Sequence, residues 1–448
     1  MSSLLLLCAL LLAGDLEGAR EALEAGRPRD ALQLLGDLAE GTDAAPEALA
    51  VAGRAYAALG EHGAASEALL RASLALPEDG TLARDAGWAC YRAALADGGM
   101  YASAYLADAL RAASRAKDPL LMGSVLEGLD RAEEALAAYR EIEAGEALEG
   151  RARCLVLLGR EEESKKAWQA ALDAAIARVD LPAAYRCAFA AERGGRLLAW
   201  LDGLLAAKAD DTRVLRYRGF ARARLLLYQD AASDLRAVLL AIPYDQEAKI
   251  EFLGTLLQLY HRRRDDAILV EAETLGLALL HDGPREETPR QALSYAAGQR
   301  FARAEYPRAL LLLESLHESD PTDVDSALNL GAIARRLGRY DIARAAYERA
   351  LDAYPDDPGI LNDFAILVDG EADRPAALAL WRRALELQPD ALDALENLYT
   401  DRWEAGDRDA AAAFLSRGLE AARKNSPDVV ERWRWFRDRE LWSGRQGD

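Results

Sequence analysis

Between Val324 and Asp357 the apolar positions fall into two helical stripes. Leu328, Leu330, Ile333, Ala334 and Leu337 recur at a spacing that gathers them on one face, the mark of an amphipathic helix. Gly331 stands inside that stripe, where the lack of a side chain lets a second helix come close. The run Leu337-Gly338-Arg339-Tyr340 predicts a tight turn. Ala343, Tyr347, Ala350 and Leu351 then predict a second helix with one apolar face, and Pro355 stops it, because proline cannot continue the backbone ladder.

The same pattern returns along the chain. Ala309, Ala343, Ala377 and Ala411 form a ladder with a step of 34 residues. Leu313, Tyr347, Trp381 and Leu415 form a second, and Pro321, Pro355 and Pro389 a third, at the same step. Pro307 and Pro375 fall at one phase of the neighbouring units, where the first turn of a helix tolerates proline. Coincident ladders at one period imply stacked helix pairs.

These residues resemble the tetratricopeptide repeat, an antiparallel pair of helices. The family's small, small, aromatic, small and proline sites fall on Gly331, Ala343, Tyr347, Ala350 and Pro355. They fall again on Ala365, Ala377, Trp381, Ala384 and Pro389 in Pro358–Pro389. Pro46–Pro77 fits through Leu49, Gly53, Tyr56, Gly60, Ala65, Ala72 and Pro77, and Thr212–Pro243 through Gly219, Ala231, Leu235 and Pro243. Arg290–Pro321 and Leu392–Arg423 fit less closely: the first has Leu316 at a small site and the second lacks the terminal proline. The resemblance implies an all-α, right-handed superhelical solenoid whose first helices line a concave face.

On this reading residues 15–45 form an N-terminal helix pair, 46–79 and 212–245 are single repeats, and 290–425 hold four. Residues 80–211 and 246–289 are degenerate members of one stack, and 426–448 form a capping helix. Helical periodicity in 80–211 covers Leu82–Ala96, Ala102–Arg115, Ala132–Glu143, Leu148–Leu158, Glu162–Ala177 and Leu197–Ala207. Leu181-Pro182 and Asp282-Gly283-Pro284 are the places where a second domain would begin.

Composition narrows the function. The 448 residues carry 55 basic and 75 acidic side chains, a formal charge of −20, which argues against a nucleic-acid binder because phosphate contacts need a basic face. Cys8, Cys90, Cys154 and Cys187 lie far apart with no C-x-x-C, so a disulfide framework or cysteine-held zinc is not expected. Leu4–Ala13 is a run of ten apolar residues, too short to span a bilayer but fitting the core of a signal peptide over residues 1–14. It predicts a periplasmic or secreted protein, with the cytoplasm as the alternative, and the Ala/Arg/Leu-rich usage suggests a bacterial source.

No chemistry-bearing motif stands out. His62, His261, His281 and His317 are isolated from one another, and no P-loop, G-x-G-x-x-G, G-x-S-x-G or H-E-x-x-H occurs. Asp356-Asp357 and Glu286-Glu287 read as solvated loop charges. Neither an enzyme, nor a metal, nor a cofactor is expected.

The resemblance implies that ligand-facing positions of Thr212–Pro243 are Arg213, Arg216, Phe220, Ala223 and Arg224. Three arginines around an aromatic point to an acidic protein or peptide segment, since guanidinium forks pair with carboxylates in two-point fashion. His261-Arg262-Arg263-Arg264 would extend that patch, unless local acids such as Asp211, Asp230 and Asp234 take up the arginines. Corresponding positions further along are Asp325, Arg335 and Arg336, then Asn362 and Asp369, then Asp393, Glu396, Thr400, Trp403 and Glu404. Asn329 and Asn397 fall where the family often carries asparagine for peptide-backbone contacts, whereas Leu328 and Ala332 replace its two-carboxylate clamp. In the C-terminal stretch, Val429, Trp433 and Phe436 share a face that would seal the last repeat, with Trp435 and Trp442 turned away as a candidate partner or membrane contact. Oligomeric state is left open.

Overall fold

The computed structural model describes residues 15–39, 41, 44–283, 286–425, 429–431 and 433–436. The apolar run Leu4–Ala13 and Trp442 lie outside them. The described residues form α-helices joined by short turns, with one 3-10 segment at Gly36–Ala39 and no strand. Contacts divide the chain into two compact units, Met1–Ala221 and Arg222–Asp448. The division falls inside the helix Thr212–Arg224, at neither of the two breaks the sequence offered.

The second unit is the regular one. Its helices Tyr306–Ser319, Tyr340–Ala353, Arg374–Leu387 and Arg408–Asn425 begin every 34 residues, as do Val324–Arg336, Pro358–Gly370 and Leu392–Glu404 between them. The alanine ladder is fully buried and the large residues of the second ladder are buried beside it. At Gly331 a Cβ would stand 2.1 Å from Cζ of Tyr347, so the two helices of that repeat meet where only glycine fits. Pro307 and Pro375 open their helices, where the missing N–H would have had no partner.

Aspartates set the starts of two of these first helices. Asp323 accepts from the backbone N–H of Asp325 and Ser326, and Asp357 from Gly359 and Ile360. Asp356-Asp357 is therefore not a pair of idle loop charges: Asp357 caps a helix and Asp356 accepts from Arg383 at 2.8 Å. At the other end of the unit Trp433 is buried over Gly418, with Val430 and Phe436 in the same cluster, and Trp435 is exposed.

The first unit also consists of helix pairs, but their lengths drift. Pro119–Gly128 and Leu181–Ala190 have only ten residues each and Ala132–Tyr139 only eight, whereas Gly194–Ala207, the partner of Leu181–Ala190, has 14. Pro119–Gly128 and Leu181–Ala190 escape the periodicity analysis, and the helix expected to reach Glu143 ends at Tyr139. Pro182, read as a break, and Pro119 each stand in the first turn of a helix capped by an aspartate side chain, Asp180 or Asp118. The packing contact survives the drift. Gly53 lies on Leu69, and Tyr139 is wedged between Gly123 and Gly150.

Candidate binding groove

Two adjoining hollows open between the first helices Glu287–Ala302 and Val324–Arg336 of the second unit. One, of about 570 Å³, is lined by Glu287, Arg290, Gln291, Ser294, Tyr295 and Asp325 among others. The other, of about 150 Å³, is lined by Ser294, Ala297, Gly298, Phe301, Asn329, Ala332 and Ile333 among others. The exposed stripe Glu287, Gln291, Ser294, Gly298, Phe301 runs along one helix, and a stripe of exposed Asp325, Asn329 and Arg336 with half-buried Ala332 runs along the next. Both stripes advance by three or four residues, so each follows one helix face. The groove is acidic and polar at the helix starts and apolar toward their ends. There the Arg336 guanidinium lies 5.7 Å from the Phe301 ring and 5.3 Å from the Tyr306 ring. Arg290 is already engaged, with Ser319 Oγ at 3.1 Å and with Asp323.

The row continues across the next first helices. Counting 34 residues from Asn329 reaches Asp363, and 34 more reach Asn397. Asn362, expected in the groove, is buried instead: its Oδ1 accepts from Asn397 Nδ2 at 2.9 Å and its Nδ2 donates to Asp363 Oδ1 at 3.0 Å. The amide thus ties Pro358–Gly370 to Leu392–Glu404, while its neighbour Asp363 is half-buried beside it. Arg335 is half-buried on the preceding first helix, and Asn329 and Arg336 are exposed. Asp369 accepts from Arg374 at 2.7 Å, and Arg374 also reaches Asp401 at 2.7 Å, so that carboxylate is taken.

The arginine patch does not assemble as expected. Phe220 is buried, because Tyr185 and Tyr217 close over it with ring centroids 6.3 and 5.9 Å away. It offers a ligand no apolar surface. Arg216 lies 5.4 Å from that ring, Arg213 is exposed and 3.5 Å from Asp211, and exposed Arg224 acts on Glu251. Asp234 accepts from Arg222 at 2.6 Å. In the basic run, Arg262 stacks on Tyr228 and Arg264 donates to Gln299 at 2.8 Å. Sequence reading missed Glu287, Gln291, Ser294, Gly298, Phe301 and Asp363; the 34-residue step from Asn329 would have found the last. Among the described residues no cluster of three metal-binding side chains occurs, and no helix is long and apolar enough to cross a membrane.

The paired helices and the groove they leave define a helical-repeat protein. Within it, residues 324–367 match the family model of the tetratricopeptide repeat. No curated protein matches the chain. Among solved structures, MamA from Desulfovibrio magneticus RS-1 is 17% identical over 40% of this chain and 97% of its own, with a TM-score of 0.32. The C-terminal part of a TPR repeat-containing protein from Cytophaga hutchinsonii is 15% identical, covering 55% and 96%, with a TM-score of 0.40. YrrB, described as a TPR protein with an unusual peptide-binding site, is 15% identical, covering 44% and 96%, with a TM-score of 0.32.

Proposed function

We propose that the protein is a non-catalytic scaffold that holds an extended protein or peptide segment in the groove of its second unit. The observation that carries this reading is the pair of adjoining hollows whose walls present hydrogen-bonding side chains, Gln291, Ser294 and Asn329, next to a small apolar recess. Such a surface meets a backbone with its polar row and a side chain with its recess. Ala332→Trp fills the recess from a half-buried position. Crosslinked affinity capture from native cells, with wild type and this variant side by side, is expected to lose a partner while the helical circular dichroism is kept. Partners that persist unchanged would overturn the groove as the site.

An acidic segment contacting Arg213, Arg216 and Arg224 is a separate contact in this proposal, weakened by the burial of Phe220. Exchanging the three arginines for Glu tests it in the same capture experiment. A second reading, an exported accessory subunit of a bacterial envelope secretion or polysaccharide machine, is favoured by the apolar run Leu4–Ala13. N-terminal sequencing of the native protein decides it: a start beyond residue 14 supports export, and a start at Met1 removes it.

A further inference from the structure

We propose that the segment bound in this groove is basic, and that Asp363 receives a lysine or arginine side chain from it. The inference rests on the groove reading above. Asp363 occupies the place in its repeat that Asn329 and Asn397 occupy in the flanking ones, so a carboxylate interrupts a row of carboxamides. That carboxylate is half-buried and accepts one hydrogen bond, from Asn362. Among the described residues it forms no ion pair. A charge withdrawn from water without a cation beside it is costly, and an ammonium or guanidinium brought by a ligand would remove that cost.

The surroundings favour a cation over any other occupant. Asp393, at the start of the next first helix, adds a like charge, while Arg335 acts on Asp363 only from a distance. Burial first, and Asp393 after it, hold the Asp363 carboxyl above its usual range, against the opposing pull of Asn362 and Arg335. Asp325 and Glu287 stand exposed along the same groove. Arg290, which lines the same hollow, is paired with Asp323 and Ser319, and Arg336 at the far end lies against two aromatic rings. The carboxylates Glu287, Asp325, Asp363 and Asp393 outnumber the arginines Arg335 and Arg336 that face no paired acid, and this favours an incoming basic segment through charge complementarity.

The test uses Asp363→Asn, which retains an Oδ1 for Asn362 to bind and removes the charge, with Oδ2 becoming an amide donor. A phage-displayed library of random nonapeptides is selected in parallel on the full-length wild type, on Asp363→Asn and on Ala332→Trp, each checked by circular dichroism. The expected result is peptides that depend on the open recess and carry Lys or Arg at one fixed position. That preference should fall at least tenfold on Asp363→Asn. Recess-dependent peptides without a basic position, or with one that Asp363→Asn leaves intact, would overturn the charge inference and leave the groove reading standing. If no selected peptide is lost on Ala332→Trp, the groove reading falls and this inference falls with it.

Discussion

The two units solve one packing problem with different strictness. In the second, helices begin every 34 residues, and Tyr347 meets Gly331 across its pair. In the first, helix starts wander, from Pro46 to Gly80 to Pro119 to Gly145 to Leu181, yet Gly53 against Leu69 and Gly123 against Tyr139 repeat the contact of Gly331 with Tyr347. What the repeat preserves is the close approach of two helices, a matter of a few atoms. Helix length is free to vary wherever the turn leaves the array undisturbed. The regular unit also carries the open groove described above.

Buried charge separates the units most sharply. In the second, Arg300 is 1% exposed and holds Glu273 at 2.5 Å, Asp266 at 2.5 Å and Glu305 at 2.6 Å. Removing one partner of a buried pair leaves an uncompensated charge, so Arg300→Met is expected to cost about 3–5 kcal/mol. In the first, Glu149 is buried but its partner Arg186 keeps most of its guanidinium in water. Arg186→Met also strands Glu149 but removes a side chain that is more than half exposed, so it should cost less, about 1–3 kcal/mol. Urea unfolding of both variants checks this, and equal costs would erase the distinction.

The shared contact predicts the opposite outcome, equality. A Cβ at Gly331 would stand 2.1 Å from Cζ of Tyr347, and at Gly123 2.4 Å from Cε1 of Tyr139. Both rings are fully buried and have nowhere to turn. Alanine would gain up to about 1 kcal/mol of helix propensity, but overpacking costs about 1–3 kcal/mol, and at these distances the clash wins. Gly331→Ala and Gly123→Ala are each expected to lose about 1–2 kcal/mol in urea unfolding. A tolerated Gly123→Ala would show that the irregular unit has relaxed its packing as well as its period.

This contrast explains what could be read from the sequence. The ladders of the second unit were legible because three residue types recur at one spacing, and the Gly331 contact followed from residue size alone. Pro119–Gly128 and Leu181–Ala190 were not legible, because a ten-residue helix offers too few turns for a stripe and its opening proline resembles a break. The groove was half legible. Asn329 and Asn397 were placed by period, but Phe220 and Asn362 were assigned to the ligand although both are buried, since position in a repeat does not reveal which neighbour closes over it. Asp363, adjacent to Asn362, passed unnoticed for the same reason.

A smaller effect marks the second unit alone. His317 is buried there, with neither ring nitrogen hydrogen-bonded among the described residues. Burial, helped by Arg349, holds its imidazole below the ordinary 6.5, against the pull of Asp323, Asp320 and Glu318. The unfolded chain therefore protonates at higher pH than the folded one. Stability that is complete above pH 6.5 declines as pH falls through that value, by about 1.4 kcal/mol for each unit of depression. His317→Leu removes this part of the decline. Thermal melts at pH 7.5 and 5.5 should show a smaller loss of Tm in the variant than in wild type, and parallel losses would place the acid sensitivity elsewhere.

The first unit has its own reporter, and it tests how far the two regions stand apart in energy. Cys90, Cys154 and Cys187 all lie there, buried, with burial as the main cause pushing their thiols up to about 12, 11 and 12. A thiol in that state is neither exposed nor a thiolate, so alkylation needs local or global opening. The remaining cysteine is Cys8, and a Cys8→Ser background silences it. In repeat arrays coupling runs through nearest neighbours, so destabilisation fades with distance along the stack. Arg300→Met in this background is therefore expected to leave the iodoacetamide labelling rate at pH 8 within twofold of the parent. A rate that rises in step with the lost stability would make the whole chain one cooperative object, and the contrast between its units one of sequence pattern alone.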